Sequence, residues 1–327
     1  MFFNLFNSTL PLFGLVLIGF LLGKFSIFNK LEANVLTKVV GLTVLPALGI
    51  KIYSNFNYEY LNINLYLNYF FIQSLIYLLG IMITKFYFLR NNSESIIIGM
   101  ACGFSNHLFF VYPIAIFEFP PKDLVPIETI IAFDFITVAV SILALDYTNG
   151  NYSGINQLLI NQFKNPALIG LLLGLITLLS GFNIPNSLNI MVNFICNLGV
   201  PCTLLSMGIL LSIKTDITQI KLSFLISTLK MFIFPSLMFV VIYFSEIDII
   251  VARTTIMVSS APLASMPLIF AAIYNVKTDA VVRAGIFTYL IALFSVPLVG
   301  GIIWKWNNLK YNFYNYDISK YHLSRNN

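Results

Sequence analysis

Two apolar stretches, residues 95–117 and 250–274, are long enough to cross a bilayer yet carry centres that break helices. The first, SIIIGMACGFSNHLFFVYPIAIF, holds Gly103, Ser105, Asn106, His107 and Pro113. The second, IVARTTIMVSSAPLASMPLIFAAIY, holds Ser259, Ser260, Pro262, Ser265 and Pro267. Proline lacks an N–H and clashes with the turn before it, so both segments are expected to unwind. Unwound backbone at membrane depth persists only where protein or a water-filled cavity satisfies it. Two interrupted segments at matching places in two halves of a chain are the strongest sequence pointer to a transporter's binding site.

The rest of the chain fits that environment. It is 58% hydrophobic and 9% charged, with a mean hydropathy of +0.88, where soluble domains average about 25% charged residues. The class is therefore a polytopic membrane protein. The net charge of +5 belongs to loops and does not argue for nucleic acid. Cys102, Cys196 and Cys202 all fall in apolar segments and read as small buried hydrophobes. The N-terminus has no Lys or Arg before Pro11 and reads as a first membrane helix, not a cleaved signal. Asn-x-Ser/Thr matches at Asn7, Asn91 and Asn151 are expected by chance in so Asn-rich a chain.

Ten apolar segments can be marked, at 9–28, 34–53, 63–87, 95–117, 124–146, 165–182, 188–211, 220–244, 250–274 and 280–304. The polar tail from Lys305 reads as loosely ordered. With the N-terminus outside, inner loops hold or adjoin ten Lys and Arg residues and the outer side three, Lys51, Lys122 and, near a helix end, Arg253. The tail adds four to the outer side, and the balance still favours that orientation.

Prolines reveal an internal duplication. Pro11, Pro46 and Pro113 map onto Pro166, Pro201 and Pro267 at an offset of 155 that slips to 154 at the last pair, and Gly19 maps onto Gly174. Five segments per half is an odd number, so the halves have opposite orientation. The expected architecture is all-α: ten transmembrane helices in two inverted five-helix repeats, with crossover helices 4 and 9 broken. The first repeat spans 1–149, the second 150–304, and a polar C-terminal tail 305–327.

In order along the chain, LPLFGLVLIGFLLGKF, VLPALGIKIY, GFSNHLFFVYPI, NPALIGLLLG, LGVPCTLLSMGILL, LKMFIFPSLM and SSAPLASMPLIFAAIYN resemble the auxin efflux carrier family of secondary transporters. The similarity is nearest to its bacterial malate- and malonate-permease-like members. The resemblance implies ten helices in two inverted repeats, with the fourth and ninth crossing near the midplane. It implies carriage of small organic anions, such as a dicarboxylate, across the cell membrane. It also suggests a homodimer. The long central loop of plant members is absent, since only residues 147–164 separate the halves.

Substrate identity, direction of transport, proton against sodium coupling and oligomeric state are not written in the sequence. The candidates for substrate binding at the crossing are Ser105, Asn106, His107, Pro113, Ser259, Ser260, Pro262, Ser265 and Pro267. Half-helix N-termini there expose unsatisfied N–H groups and about half a positive charge each. Asn106 leads, because its amide both donates to a carboxylate and accepts from a protonated group; capping a half-helix is its competing role. His107 could carry a coupling proton, although helix packing is the more ordinary use of such a residue. Asp134 and Lys230 are ionisable groups deep in spans, each costing about 2.5–3.5 kcal/mol there unless faced by a cavity or partner. They are the candidates for ion coupling, with a structural ion pair as the alternative. Glu128 sits nearer the outer interface, and Arg283 reads as an interface anchor. Gln73, Asn193 and Asn197 are expected to bridge helices, Asn197 alternatively lining the path.

Other classes fare worse. Ser227 and Lys230 match Ser-x-x-Lys, but no further catalytic motif accompanies them. No His-Glu-x-x-His or paired-Cys motif supports a metal, and no cofactor is implied. The runner-up among carriers is a cation-coupled exchanger or a bile-acid-type sodium symporter of related fold. Asp134 favours it, and the lack of a dense acidic cluster at the crossing weighs against it.

Overall fold

The computed structural model describes residues 1–54, 58–150, 166–181, 184–213, 219–277 and 279–323. Asparagine side chains start several of its helices. Asn29 accepts from the backbone N–H of Leu31 at 2.8 Å while Glu32 returns a bond to the Asn29 N–H, a capping box that opens the second helix. Asn62 caps a helix through Leu65 and Asn91 caps another through Glu94. Asn91, one of the three glycosylation matches, is thus a helix cap.

The chain order is α1 (Phe2–Lys24), α2 (Lys30–Val39), α3 (Leu45–Ser54), α4 (Ile63–Phe86), α5 (Asn92–Gly103), α6 (Tyr112–Glu118) and α7 (Val125–Thr148). It continues with α8 (Pro166–Ser180), α9 (Asn186–Asn197), α10 (Gly199–Ser212), α11 (Ile220–Thr228), α12 (Phe234–Phe244), α13 (Arg253–Ser259), α14 (Met266–Ile273) and α15 (Asp279–Leu323). Among the described residues, seven helical runs are long and apolar enough to cross a membrane: Phe2–Lys24, Lys30–Tyr53, Ile63–Phe86, Pro121–Thr148, Asn186–Ser212, Ile220–Phe244 and Asp279–Lys305. The other three expected segments are the fifteen-residue α8 and the two interrupted stretches. Among the described residues there is no strand, only one isolated antiparallel bridge between Ser105 and Leu263.

Among the described residues, π-helical turns lie within helical runs at Val40–Val44 and Leu229–Ile233, and a third, His107–Val111, opens the half-helix that follows Asn106. Each ends two residues before a proline, Pro46, Pro113 and Pro235. The proline cannot donate to the carbonyl four residues back and its ring collides with it. Widening the preceding turn relieves the collision while keeping the helix continuous. The turn before Pro46 takes this form. Near Pro201 the run Asn186–Ser212 instead has a one-residue turn at Leu198, between α9 and α10, and stays otherwise helical.

Several helix pairs pack backbone to backbone, and two of these contacts mirror each other. A Cβ on Gly19 of α1 would lie 2.2 Å from the Leu205 carbonyl oxygen of α10. A Cβ on Gly174 of α8 would lie 2.4 Å from the Gly49 carbonyl oxygen and 3.0 Å from the Ile50 Cα of α3. Shifting both members of the first contact by 155 residues, one up and one down, yields Gly174 against Ile50. Small residues are what permit such approach between membrane helices, where apolar surface alone drives nothing together.

α15 runs past Lys305 to Leu323, a stretch with neither Gly nor Pro. Arg253 stands at the first position of α13, at a helix end, and is buried. It is 5% exposed, ion-paired with Asp123 and stacked 4.1 Å from the Phe119 ring centroid.

Candidate functional site

The two interrupted segments meet where they unwind. Phe104 turns extended at the end of α5 (φ −85, ψ 129), and the chain resumes helix at His107. In the second segment α13 stops at Ser259 and α14 begins at Met266. The Asn106 N–H donates to the Pro262 carbonyl at 2.9 Å, and the Ala264 N–H donates to the Phe104 carbonyl at 3.2 Å. These paired bonds satisfy backbone groups that would otherwise be orphaned in an apolar setting, where each costs several kcal/mol, roughly. α15 supports the crossing. The Asn106 amide donates to the Tyr289 hydroxyl at 2.7 Å, the Ser295 hydroxyl to the Ser260 carbonyl at 3.0 Å, and the Leu263 N–H reaches Thr288 Oγ1 at 3.5 Å.

A cavity of about 50 Å³ opens beside the crossing, room for a few waters. Ser105, Asn106, His107, Asp134 and Ser265 give it a polar side, and Leu45, Ile131, Val138 and Phe109 an apolar one. Asp134 comes from α7 and is 7% exposed. The Gln73 amide of α4 donates to its Oδ1 at 2.8 Å. His107 Nε2 stands 3.5 Å from Oδ2. This is close enough for charge attraction but is not an aligned hydrogen bond, since Oδ2 and His107 Nδ1 both lack hydrogen-bond partners. Gln73 Oε1, Ser105 Oγ, Thr137 Oγ1 and the Tyr69 hydroxyl are likewise buried and unsatisfied. Unpaired polar atoms thus cluster around one buried carboxylate, hydroxyl groups that can donate or accept among them.

A second cavity of about 340 Å³ lies between α2, α10, α14 and α15. Its polar lining is Lys30, Asn34, Asn275 and Asp279. Leu268 of α14 lines it, three residues beyond the Ser265 that lines the first cavity.

Lys230 lies on the other flank of the crossing, in the π turn between α11 and α12. It is fully buried. Its ammonium donates to the Ser259 carbonyl at 2.8 Å, lies 4.7 Å over the Phe234 ring centroid and neighbours Cys102 of α5. Ser227 of the Ser-x-x-Lys match bonds back to the Ser223 carbonyl at 2.9 Å and is not paired with Lys230.

The candidate residues thus divide. Ser105, Asn106, His107 and Ser265 line the cavity, and Asp134 joins them. Ser259 and Ser260 lie at the break but turn their hydroxyls back to the Ile256 carbonyl. Pro262 contributes its carbonyl to the crossing. Pro113 and Pro267 begin the second halves, α6 and α14, outside that cavity's lining. Glu128 accepts from the Tyr112 hydroxyl at 2.8 Å. Gln73 bridges helices as expected, whereas Asn193 pairs within its own helix with Asn189 and Asn197 is exposed away from the cavity. Tyr289, Thr288, Ser295 and Tyr69 went unmarked. Hydroxyls scattered through apolar helices carry no sequence signal until the helix that faces them is known.

Residues 153–299 match the model of a family described as membrane transport protein. The match takes in α8 to α14, most of α15's apolar part, the second break and Lys230; Asn106 and Asp134 precede it. No curated protein matches the chain. The match and the seven apolar helices support a multi-pass membrane protein of transport type.

Proposed function

We propose that the chain is a secondary active transporter that moves a small organic anion by alternating access, with the substrate held where the two broken helices cross. The observation that carries this reading is the backbone pairing of Asn106 with Pro262 and of Phe104 with Ala264 beside a small cavity, mostly apolar, that Ser105, Asn106, His107, Asp134 and Ser265 also line. At such a crossing, the chain resumes helix at His107 and Met266, so two positive half-helix ends face the same space. A carboxylate entering it exchanges hydration for N–H groups, the Asn106 amide and the hydroxyls of Ser105 and Ser265. The architecture behind the reading is ten spans in two inverted repeats, 1–149 and 150–304, followed by the tail 305–327. The mirrored contacts of Gly19 and Gly174 support it. A bacterial malate- or malonate-permease-like carrier in the cell membrane, N-terminus outside, is the form that the sequence resemblance favours, with a homodimer as its assembly. The larger cavity, with Lys30 at its polar wall, offers a route to the crossing from one face.

Asp134 is the group for ion coupling in this reading, since it shares the cavity with the proposed substrate and has an unsatisfied oxygen. That same cluster is what favours the second reading, a cation-coupled exchanger or a sodium symporter of related fold. Purified protein in vesicles, given malate, malonate or indole acetate with and without imposed proton and sodium gradients, separates the two. Uptake of a carboxylate above protein-free vesicles supports the anion carrier. Sodium movement without any carboxylate supports the exchanger.

A further inference from the structure

Each interrupted helix has a first half that ends at the crossing, α5 at Gly103 and α13 at Ser259. A helix C-terminus carries roughly half a negative charge, so two such ends are brought close together beside a site meant for an anion. Broken-helix carriers commonly meet this problem with an exchangeable cation held by half-helix C-terminal carbonyls. Here the carbonyls at and just beyond the end of α13 are already occupied. The Ser259 carbonyl accepts from Lys230, the Ser260 carbonyl from Ser295 and the Pro262 carbonyl from Asn106. The Lys230 ammonium is fully buried, and of the described groups around it Ser259 provides a carbonyl, Phe234 a ring face and Cys102 a sulfur. No carboxylate pairs with it among the described ion pairs. A buried charge left without a counterion is strongly unfavourable. The negative helix ends, the Ser259 carbonyl and the aromatic face supply the compensation instead.

We propose that Lys230 is a resident cation: its ammonium fills the place at the ends of α5 and α13 where a carrier of this build would bind a metal cation, and so replaces sodium there. The role of that charge in transport rests on the anion-carrier reading, but its occupancy does not. Shortening the side chain removes the charge and leaves a cavity faced by the Ser259 carbonyl and two negative helix ends, a place suited to a monovalent cation. Lys230→Ala therefore creates a sodium site, whereas Lys230→Met removes the charge but fills the space.

The test needs no substrate. Thermal unfolding of the detergent-purified protein is followed in sodium chloride and in equimolar choline chloride, for the wild type, Lys230→Ala and Lys230→Met. The expected result is a sodium-specific rise in Tm of several degrees in Lys230→Ala, beyond whatever the wild type and Lys230→Met show. A folded Lys230→Ala with no more sodium response than those two overturns the proposal. Folding of Lys230→Ala in sodium but not in choline supports it. If the variant folds in neither salt, Lys230→Thr, whose hydroxyl can join the carbonyl as a ligand, carries the same comparison. Uptake assays add a separate readout: wild-type uptake indifferent to replacing sodium by choline, and Lys230→Ala uptake restored by sodium. Failure of all carboxylate uptake would sink the carrier reading and leave the unfolding result to stand or fall alone.

Discussion

Asn106 takes part in the crossing through both its backbone and its side chain. Its N–H holds the second broken segment, its amide is anchored on Tyr289, and it lines the cavity. The sequence singled it out because an amide in the middle of an apolar run is costly unless used. The competing role, capping the half-helix, is not what its side chain does here: no side-chain cap bond forms at His107. Asn106→Ala keeps the backbone pairing and removes only the amide. It is expected to reduce carboxylate uptake at least tenfold with little change in Tm, checked by vesicle uptake beside a melting curve. Asp134 was legible for the same reason, as a charge in an apolar helix. Its setting was not, because Gln73, Tyr69 and Thr137 look like ordinary helix-packing residues until α4 and α7 are seen side by side. In the proposed coupling, Asp134→Asn flattens the pH dependence of uptake while keeping the Gln73 contact. An unchanged pH profile would remove Asp134 from that role. The groups that face Asp134 are His107 at the crossing and Gln73, Tyr66 and Tyr69 from α4.

The elements show how proline is converted into geometry. A proline in an apolar run foretells a lost hydrogen bond, yet it does not say whether the helix kinks, breaks or widens. Pro46, Pro113 and Pro235 widen the turn before them, while the chain breaks at Phe104 and between Ser259 and Met266, where Gly, Ser and Asn or paired serines accompany the proline. The π turns place side chains. An extra residue in a turn rotates everything beyond it by about 100° relative to a regular helix. His107 and Lys230 both lie inside such turns, and both point at the crossing. Pro235→Ala permits a regular helix through 229–233 and is expected to draw Lys230 away from Ser259. The readout is faster hydrogen exchange at the end of α13 together with a lowered Tm. An unchanged exchange pattern would mean that the π turn is held by its neighbours and not by the proline.

Across the whole molecule, the mirrored prolines are the sequence basis of the proposed duplication, and the packing of Gly19 on Leu205 and of Gly174 on Ile50 is what a twofold relation between the proposed halves would give. What the sequence could not reveal is that α1 seeks α10, and α3 seeks α8, each helix pairing across the halves. Hydropathy marks spans but carries no information on which apolar face meets which. Gly19→Val and Gly174→Val should each destabilise the protein, by similar amounts, since each forces a Cβ into a facing backbone; melting curves of the two variants check this. A large effect from one and none from the other would argue against equivalent roles.

The meeting of the two broken segments can be tested directly by a cross-link. Ser105 and Leu263 face each other in the antiparallel bridge, flanked by the two backbone bonds. Facing residues in such a pair lie about 4.5–5.5 Å apart, within reach of a disulfide. With Cys102, Cys196 and Cys202 replaced by alanine, Ser105→Cys combined with Leu263→Cys should oxidise to an intramolecular disulfide in the folded protein, read as loss of two reactive thiols by mass spectrometry. Two thiols that stay free under oxidant, in protein shown to be folded, would mean that the segments do not meet, and the crossing would be lost as a binding site.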